Sequence, residues 1–293
     1  MSGAERVLVS ERIGQFFLDT ERGRDRLEYT EYGSGDAWVV LLPGLLLPRR
    51  MHDHLARALA SSGAHVVTLD PLGHGRSDKP ADPLVYSVTS FAEQVVALLD
   101  HLGAGQAVIG GTSLGANVSL EVATIAPERV RGLLVEMPVL DNALEVAIVS
   151  FASLLFAARY APLAVHAVRW ATRPIPRGVV GWWAGIGLDT LDQRPGPMAA
   201  YLHGLFFGHA APSVRSRGAI TAPTLVVGHP RDPLHHAADA ELLVEQMPNA
   251  TFERARSILE WRVSPERLDL AATRFVLDCW RGGGQRRQRV ART

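Results

Sequence analysis

Ala107-Val-Ile-Gly-Gly-Thr-Ser-Leu-Gly-Ala-Asn-Val-Ser-Leu-Glu121 decides how the rest of this chain is read. A short β-branched apolar run, 107–109, ends in Gly110-Gly111. Thr112-Ser113-Leu114-Gly115 follows, and a helix-compatible run begins at once. That order is strand, tight turn, helix, with G-x-S-x-G astride the turn. A serine in such a turn is held in a strained conformation that lifts its hydroxyl clear of the backbone. Small residues are needed on both sides because strand and helix approach closely. The helix starting at Leu114 points N–H groups at the place where an oxyanion would form. Ser113 is therefore a candidate nucleophile.

Outward from this turn, short β-rich runs alternate with helical stretches. Residues 26–32 alternate apolar and polar side chains, as a half-exposed strand does, and 33–36 supply a turn. Runs at 38–42, 65–70, 132–136 and 223–228 have the near-continuous apolar character of buried parallel strands, and 250–255 is a last strand. Helices are expected at about 50–61, 89–102, 114–126, up to 246, and 265–281. The spacing predicts an α/β architecture, a mostly parallel sheet with helices on both faces, made mixed by an early antiparallel hairpin. Residues 1–25 read as polar and mixed, with an edge strand at 7–9.

The rhythm breaks over 137–216. Helical stretches there are more apolar, Pro162, Pro174, Pro176, Pro195 and Pro197 punctuate them, and aromatic residues concentrate. This segment is expected to be a helical cap laid over the sheet, with its aromatics forming an apolar wall above a pocket. The core is then 1–136 with 217–281, and 282–293 is expected to be a disordered basic tail.

Composition narrows the chemistry. The chain has 293 residues, 47% hydrophobic and 20% charged, with a formal net charge of zero, so nothing points to nucleic acid as a partner. Cys279 is the single cysteine, which leaves no intrachain disulfide and no multi-cysteine metal site. Lys79 is the only lysine among 30 Lys and Arg residues, so any lysine base near Ser113 would have to be Lys79. The longest apolar region, 146–158, is interrupted by Arg159 and is too short for a membrane span. No signal-peptide pattern opens the sequence, and a cytoplasmic protein is the simplest expectation.

Taken in order, the motifs resemble the α/β-hydrolase fold family over about residues 26–281. They are an apolar strand ending in Pro43-Gly44, the Asp-x-x-Gly-x-Gly-x-Ser loop (Asp70, Gly73, Gly75, Ser77), the turn at Ser113, a helical cap, and Asp232 four residues past Gly228. The resemblance implies a hydrolase, most often of carboxylic esters and related acyl compounds, needing no metal or organic cofactor. It makes Ser113 the nucleophile, Asp232 the triad acid, and the N–H groups of Leu45 and Leu114 the oxyanion hole. Glu136 is the weaker candidate acid. The implied partner is a small apolar acyl substrate.

One element departs from that pattern. The family's histidine stands after the last strand, about seven residues before a proline that opens the final helix. Counting back from Pro265 lands on Ile258, and no histidine follows His236. A serine hydroxyl near neutrality needs a neighbour to take its proton, so the base must come from elsewhere. His235 and His236, beside Asp232, are the leading candidates. His229 flanks the same loop, His52 and His54 follow the Pro43-Gly44 turn, and His203 and His209 lie in the cap. His74 reads as structural, Glu260 as one half of an ion pair with Arg262 or Arg256, and Lys79 as too remote. Two functions follow: a serine hydrolase of an apolar ester, thioester or lactone with a displaced base, or a fold relative that binds a small apolar ligand under its cap. The second resembles plant gibberellin receptors, which look like hydrolases that lost this histidine to an aliphatic residue.

Overall fold

The computed structural model describes residues 9–20, 23–140, 144–177, 179–232 and 234–290. The strands are β1 (Glu11–Thr20), β2 (Gly23–Tyr32), β3 (Ala37–Leu42), β4 (Ala64–Asp70), β5 (Ala107–Thr112), β6 (Val130–Glu136), β7 (Thr224–Gly228) and β8 (Ala250–Arg254). They form one sheet in the order β1-β2-β4-β3-β5-β6-β7-β8. β1–β2 and β2–β4 pair antiparallel, and every other pairing is parallel. Parallel neighbours require crossovers, and helices supply them: α1 (Asp53–Ser61), α2 (Val88–Leu102) and α3 (Leu114–Ile125) in the first half. Between β6 and β7 stand α4 (Leu144–Tyr160), α5 (Pro162–Thr172), α6 (Trp182–Leu191), α7 (Pro195–Phe207) and α8 (Val214–Ala219). α9 (Ala237–Gln246), α10 (Glu260–Val263) and α11 (Glu266–Val290) complete the chain.

The two-residue period of the strands divides the core between the sheet's faces. Val40, Leu42, Val67, Leu69, Ile109, Leu133 and Val135 pack with residues of α2, α3 and α9. Their neighbours Val39, Leu41, Val66, Val108 and Leu134 pack with residues of α1 and α11. Cys279 of α11 is buried there, and burial pushes its thiol up to about 11. The Asp70 loop is structural. The Asp70 carboxylate accepts from the Arg49 and Arg76 amides at 2.6 and 3.0 Å and pairs with the Arg49 guanidinium. A Cβ on Gly75 would meet that carboxylate at 2.1 Å.

Three expectations are corrected. β1 spans Glu11–Thr20, where only polar mixed sequence was expected. Its inward Phe16 is buried while Ile13 and Phe17 on the other face are exposed, so apolar residues on both faces blur the alternation that would have marked it. Val9 is not in a strand, and the remainder of the expected edge strand, Val7 and Leu8, lies outside the described residues. α11 continues through the glycines to Val290, where a tail without structure was expected. Extension of an existing helix adds a hydrogen bond for each residue fixed, and the Gln and Arg residues beyond the glycines are good helix formers. Residues 291–293 of that expected tail lie outside the described residues.

The aromatic concentration in 137–216 does not form one wall. Phe151 and Phe206 line a cavity above Ser113, but Tyr201 is in the core, and Phe156, Tyr160, Trp170 and Phe207 are exposed. No single described helix is long and apolar enough to cross a membrane.

Candidate active site

β5 ends at Thr112 and α3 begins at Leu114, leaving Ser113 between them at φ 57° and ψ −114°. A non-glycine residue reaches that region only under constraint. The constraint is the contact of α3 with β3. A Cβ on Gly115 would meet the Leu42 carbonyl oxygen at 2.2 Å, and one on Gly111 would meet the same oxygen at 2.6 Å. The turn is also clasped from below, because the Ser113 N–H donates to the Glu136 carbonyl at 2.9 Å. Pressed from one side and tied from the other, the Ser113 hydroxyl projects away from the sheet toward the β7–α9 loop.

That loop carries the facing groups. Arg231 adopts φ 61°, which turns the chain so that the amides of Leu234 and His235 both donate to Asp232 Oδ1, at 2.8 and 3.0 Å. The same fold-back brings His235 Nδ1 to 3.0 Å from Asp232 Oδ2, and its Nε2 to 2.9 Å from Ser113 Oγ. An ionised carboxylate only accepts hydrogen bonds, so the Nδ1–H donates to Asp232 and Nε2 is left to accept from the serine hydroxyl. Burial acts to raise the Asp232 pKa, but the bonds from His235 and from the two amides outweigh it and hold the carboxyl below its ordinary value. Its charge is thereby kept where an imidazolium would need it.

The other candidates are elsewhere. His236 is exposed and precedes α9, so the structure does not bring it to Ser113. His52 is buried with Nε2 2.9 Å from the Leu42 carbonyl. His54 faces Asp269 at 3.2 Å. His74 Nδ1–H donates to the Leu72 carbonyl at 3.2 Å and Nε2 accepts from the Tyr201 hydroxyl at 2.8 Å. His209 reaches the cavity wall and lies 3.3 Å from Glu121, and the His203 ring packs tilted against Phe207. Lys79 donates to the carbonyls of His74, Gly75 and Ser77, holding its own loop, and burial pushes its ammonium down to about 8. Glu260 is an ion-pair member, but with Arg267 at 2.7 Å; from Arg256 it takes the backbone amide, and Arg262 goes elsewhere.

Arg262 belongs to a cluster that sequence reading missed. The buried Glu136 carboxylate accepts from Arg262 at 2.7 Å, from His229 Nε2–H at 3.0 Å and from the Thr112 hydroxyl. Burial opposes its charge, but Arg262 and His229 prevail and hold it well below the usual carboxylate range. His229 Nδ1 lies 3.1 Å from the Ser257 carbonyl oxygen. The segment after β8, where the family's histidine would stand, is thus tied into a cluster beneath the turn. Glu136 is saturated by these partners and is not aimed at His235. Asn117 was also missed. Its amide donates to the carbonyls of Val139 and Ala210 at 2.8 and 2.7 Å and accepts from the Val139 amide at 3.1 Å, fastening the segments around α4–α8 to α3. No motif or period in the sequence marks either.

Above Ser113 lies a cavity of 560 Å³, lined by Leu45, Leu114, Leu140, Phe151, Leu205 and Phe206 among other apolar side chains. Leu114 opens α3, where first-turn N–H groups have no acceptor within the helix. Leu45 follows Gly44, and a Cβ on Gly44 would come within 3.8 Å of the Ser113 Cβ, so this turn abuts the serine. Both leucines are at the cavity wall with Ser113. Among the described residues no group of three or more His, Cys, Asp or Glu could hold a metal ion.

Known proteins share this fold to different depths. A family model described as alpha/beta hydrolase fold matches residues 37–171. The chain is 26% identical over 244 residues to 3-oxoadipate enol-lactonase 2 of Acinetobacter baylyi, covering 81% of this chain and 88% of that one. Among solved structures, a hydrolase from Pseudomonas aeruginosa superposes with a TM-score of 0.73 at 21% identity, over 90% of this chain and 98% of that one. The enol-lactonase of Burkholderia xenovorans superposes with a TM-score of 0.68 at 20% identity, over 90% and 99% respectively.

Proposed function

We propose that this chain, a member of the α/β-hydrolase fold family, is a serine hydrolase acting on a small apolar carboxylic ester, thioester or lactone. The observation that carries this reading is the relay Asp232–His235–Ser113, with contacts of 3.0 and 2.9 Å. Support for the substrate class comes from the apolar cavity beside Ser113 and from the likeness, over most of both chains, to an enol-lactonase.

The geometry performs the reaction as follows. An acyl group enters the cavity with its carbonyl carbon facing Ser113 Oγ. His235 Nε2 takes the hydroxyl proton as Oγ bonds to that carbon, and the carbonyl π electrons move onto oxygen. The Leu45 and Leu114 amides donate to this oxyanion, and Asp232 offsets the charge on the imidazolium. Collapse breaks the bond to the leaving alkoxide or thiolate, which takes the proton from Nε2; in a lactone the leaving group stays tethered to the acyl chain. Water then attacks the acyl-serine, giving its proton to His235, and the acid departs as Ser113 regains its hydrogen.

An alternative base at Ile258's position is not needed, because one loop supplies both acid and base. The decisive experiment is labelling with a fluorophosphonate together with turnover of a panel of p-nitrophenyl esters and lactones. The expected result is a covalent adduct on Ser113 and hydrolysis, both absent in Ser113→Ala. A wild-type protein that neither labels nor turns over any of the panel would point instead to a ligand-binding protein.

A further inference from the structure

We infer that the corner formed by α4 and α5 is a docking surface for an anionic phospholipid bilayer, a role separate from the chemistry at Ser113. Soluble proteins seldom expose clustered large apolar side chains without a partner for them. Here Trp170 is 80% exposed, Leu163 83%, Tyr160 70% and Phe156 64%. Leu163, Ala167 and Trp170 recur at the spacing of one helical stripe on α5, and Phe156 and Tyr160 do the same on α4, with their rings 4.8 Å apart. The two helices meet at a 99° bend, so the chain does not continue as one rod across a bilayer.

Charge identifies the occupant. From Val146 to Leu188 the sequence has four arginines and no aspartate or glutamate. Arg169 and Arg177 are satisfied by Asp192 and Asp189 at 2.8 and 3.2 Å. Arg159 and Arg173 are exposed and make no ion pair among the described residues. They flank the apolar stripe at either end of α5. An aromatic and aliphatic stripe edged by unpaired arginines, its neighbouring carboxylates Asp192 and Asp189 already spent on Arg169 and Arg177, is complementary to a lipid–water boundary carrying negative headgroups. Trp and Tyr rings suit the headgroup level, and long arginine stems keep their charge at the phosphates. A second protein would more often present charges of both signs to match; the charges left unpaired on this patch among the described residues, Arg159 and Arg173, are of one sign.

Co-sedimentation of the full chain with phosphatidylcholine vesicles, with and without phosphatidylglycerol, tests the inference. Wild type is expected to pellet with the phosphatidylglycerol vesicles and to be released as salt rises. Leu163→Glu and Trp170→Glu are expected to stay in the supernatant while keeping the wild-type melting temperature. Arg159→Gln and Arg173→Gln should each weaken partitioning about five-fold. Wild type remaining in the supernatant with both vesicle types would overturn the inference, as would pelleting unchanged in the two Glu variants. A homodimer in sedimentation velocity that Trp170→Glu dissociates would also overturn it, since a second copy would then be what covers the patch.

Discussion

His235 Nε2 stands 2.9 Å from Ser113 Oγ across 122 residues of sequence, and the same ring reaches Asp232, only three residues away, at 3.0 Å. The proposed mechanism takes its base from its own acid's loop, which separates two neighbouring histidines. His235→Gln should lower kcat on p-nitrophenyl esters by roughly 10⁴- to 10⁶-fold, the range seen when a serine hydrolase loses a member of its relay. His236→Ala, altering an exposed side chain, should leave kcat essentially unchanged. Equal losses in the two variants would sink the assignment of His235.

Ser113 holds a left-handed φ of 57° that glycine adopts without strain. Relief of such strain contributes roughly 1–3 kcal/mol, offset by the greater freedom of glycine in the unfolded chain, about 0.4–1 kcal/mol. Ser113→Gly should therefore raise stability by about 1 kcal/mol while abolishing turnover, whereas Ser113→Ala keeps the Cβ and gains nothing from the backbone. Urea midpoints of the three proteins decide the matter; a destabilised glycine variant would mean that the turn stores no strain.

The serine turn, the alternating elements and Asp232 could be read from sequence because each rests on local information. Gly111 and Gly115 mark a close approach, the apolar runs mark buried strands, and Asp232 follows its strand at short range. The proposed base, His235, emerged only as one of a short list. Placing His235 depends on Arg231 adopting a positive φ and on two amides folding back onto Asp232, which no period or propensity encodes. The cluster of Glu136, His229 and Arg262 was less legible still, since its contacts span 93 and 126 residues and exist only once the sheet is assembled.

Two buried histidines set the acid limit of the fold. Burial first, with the Arg262 charge second, pushes His52 down to about 4, and burial does the same to His74. An unfolded histidine titrates near 6.5, so between about pH 6.5 and 4 the unfolded chain binds protons that the folded chain does not. Stability is then fully present above the unfolded value and falls as pH drops through that window, by about 3 kcal/mol for each group. Urea midpoints measured across the window should decline with falling pH, and His74→Gln, which cannot charge, should remove its share of the slope. A flat profile in the wild type would contradict the neutral, buried state of both rings.

Substrate length should be set by the cavity rather than by polar recognition. Its volume is 560 Å³, and Leu140, Phe151, Leu202, Leu205 and Phe206 contribute apolar wall, while the Asn117 amide is already spent on Val139 and Ala210. Each acyl methylene moved from water into such a wall stabilises the bound transition state by about 0.8 kcal/mol. Values of kcat/KM for straight-chain p-nitrophenyl esters should therefore climb by up to about four-fold per methylene and then level off once the space is filled. Leu205→Trp takes up part of that space and should bring the plateau to shorter acyl chains, with the acetate ester least affected because it extends least from Ser113. A wild-type profile independent of chain length would show that the acyl group does not occupy this cavity, and would leave the relay without a binding site for it there.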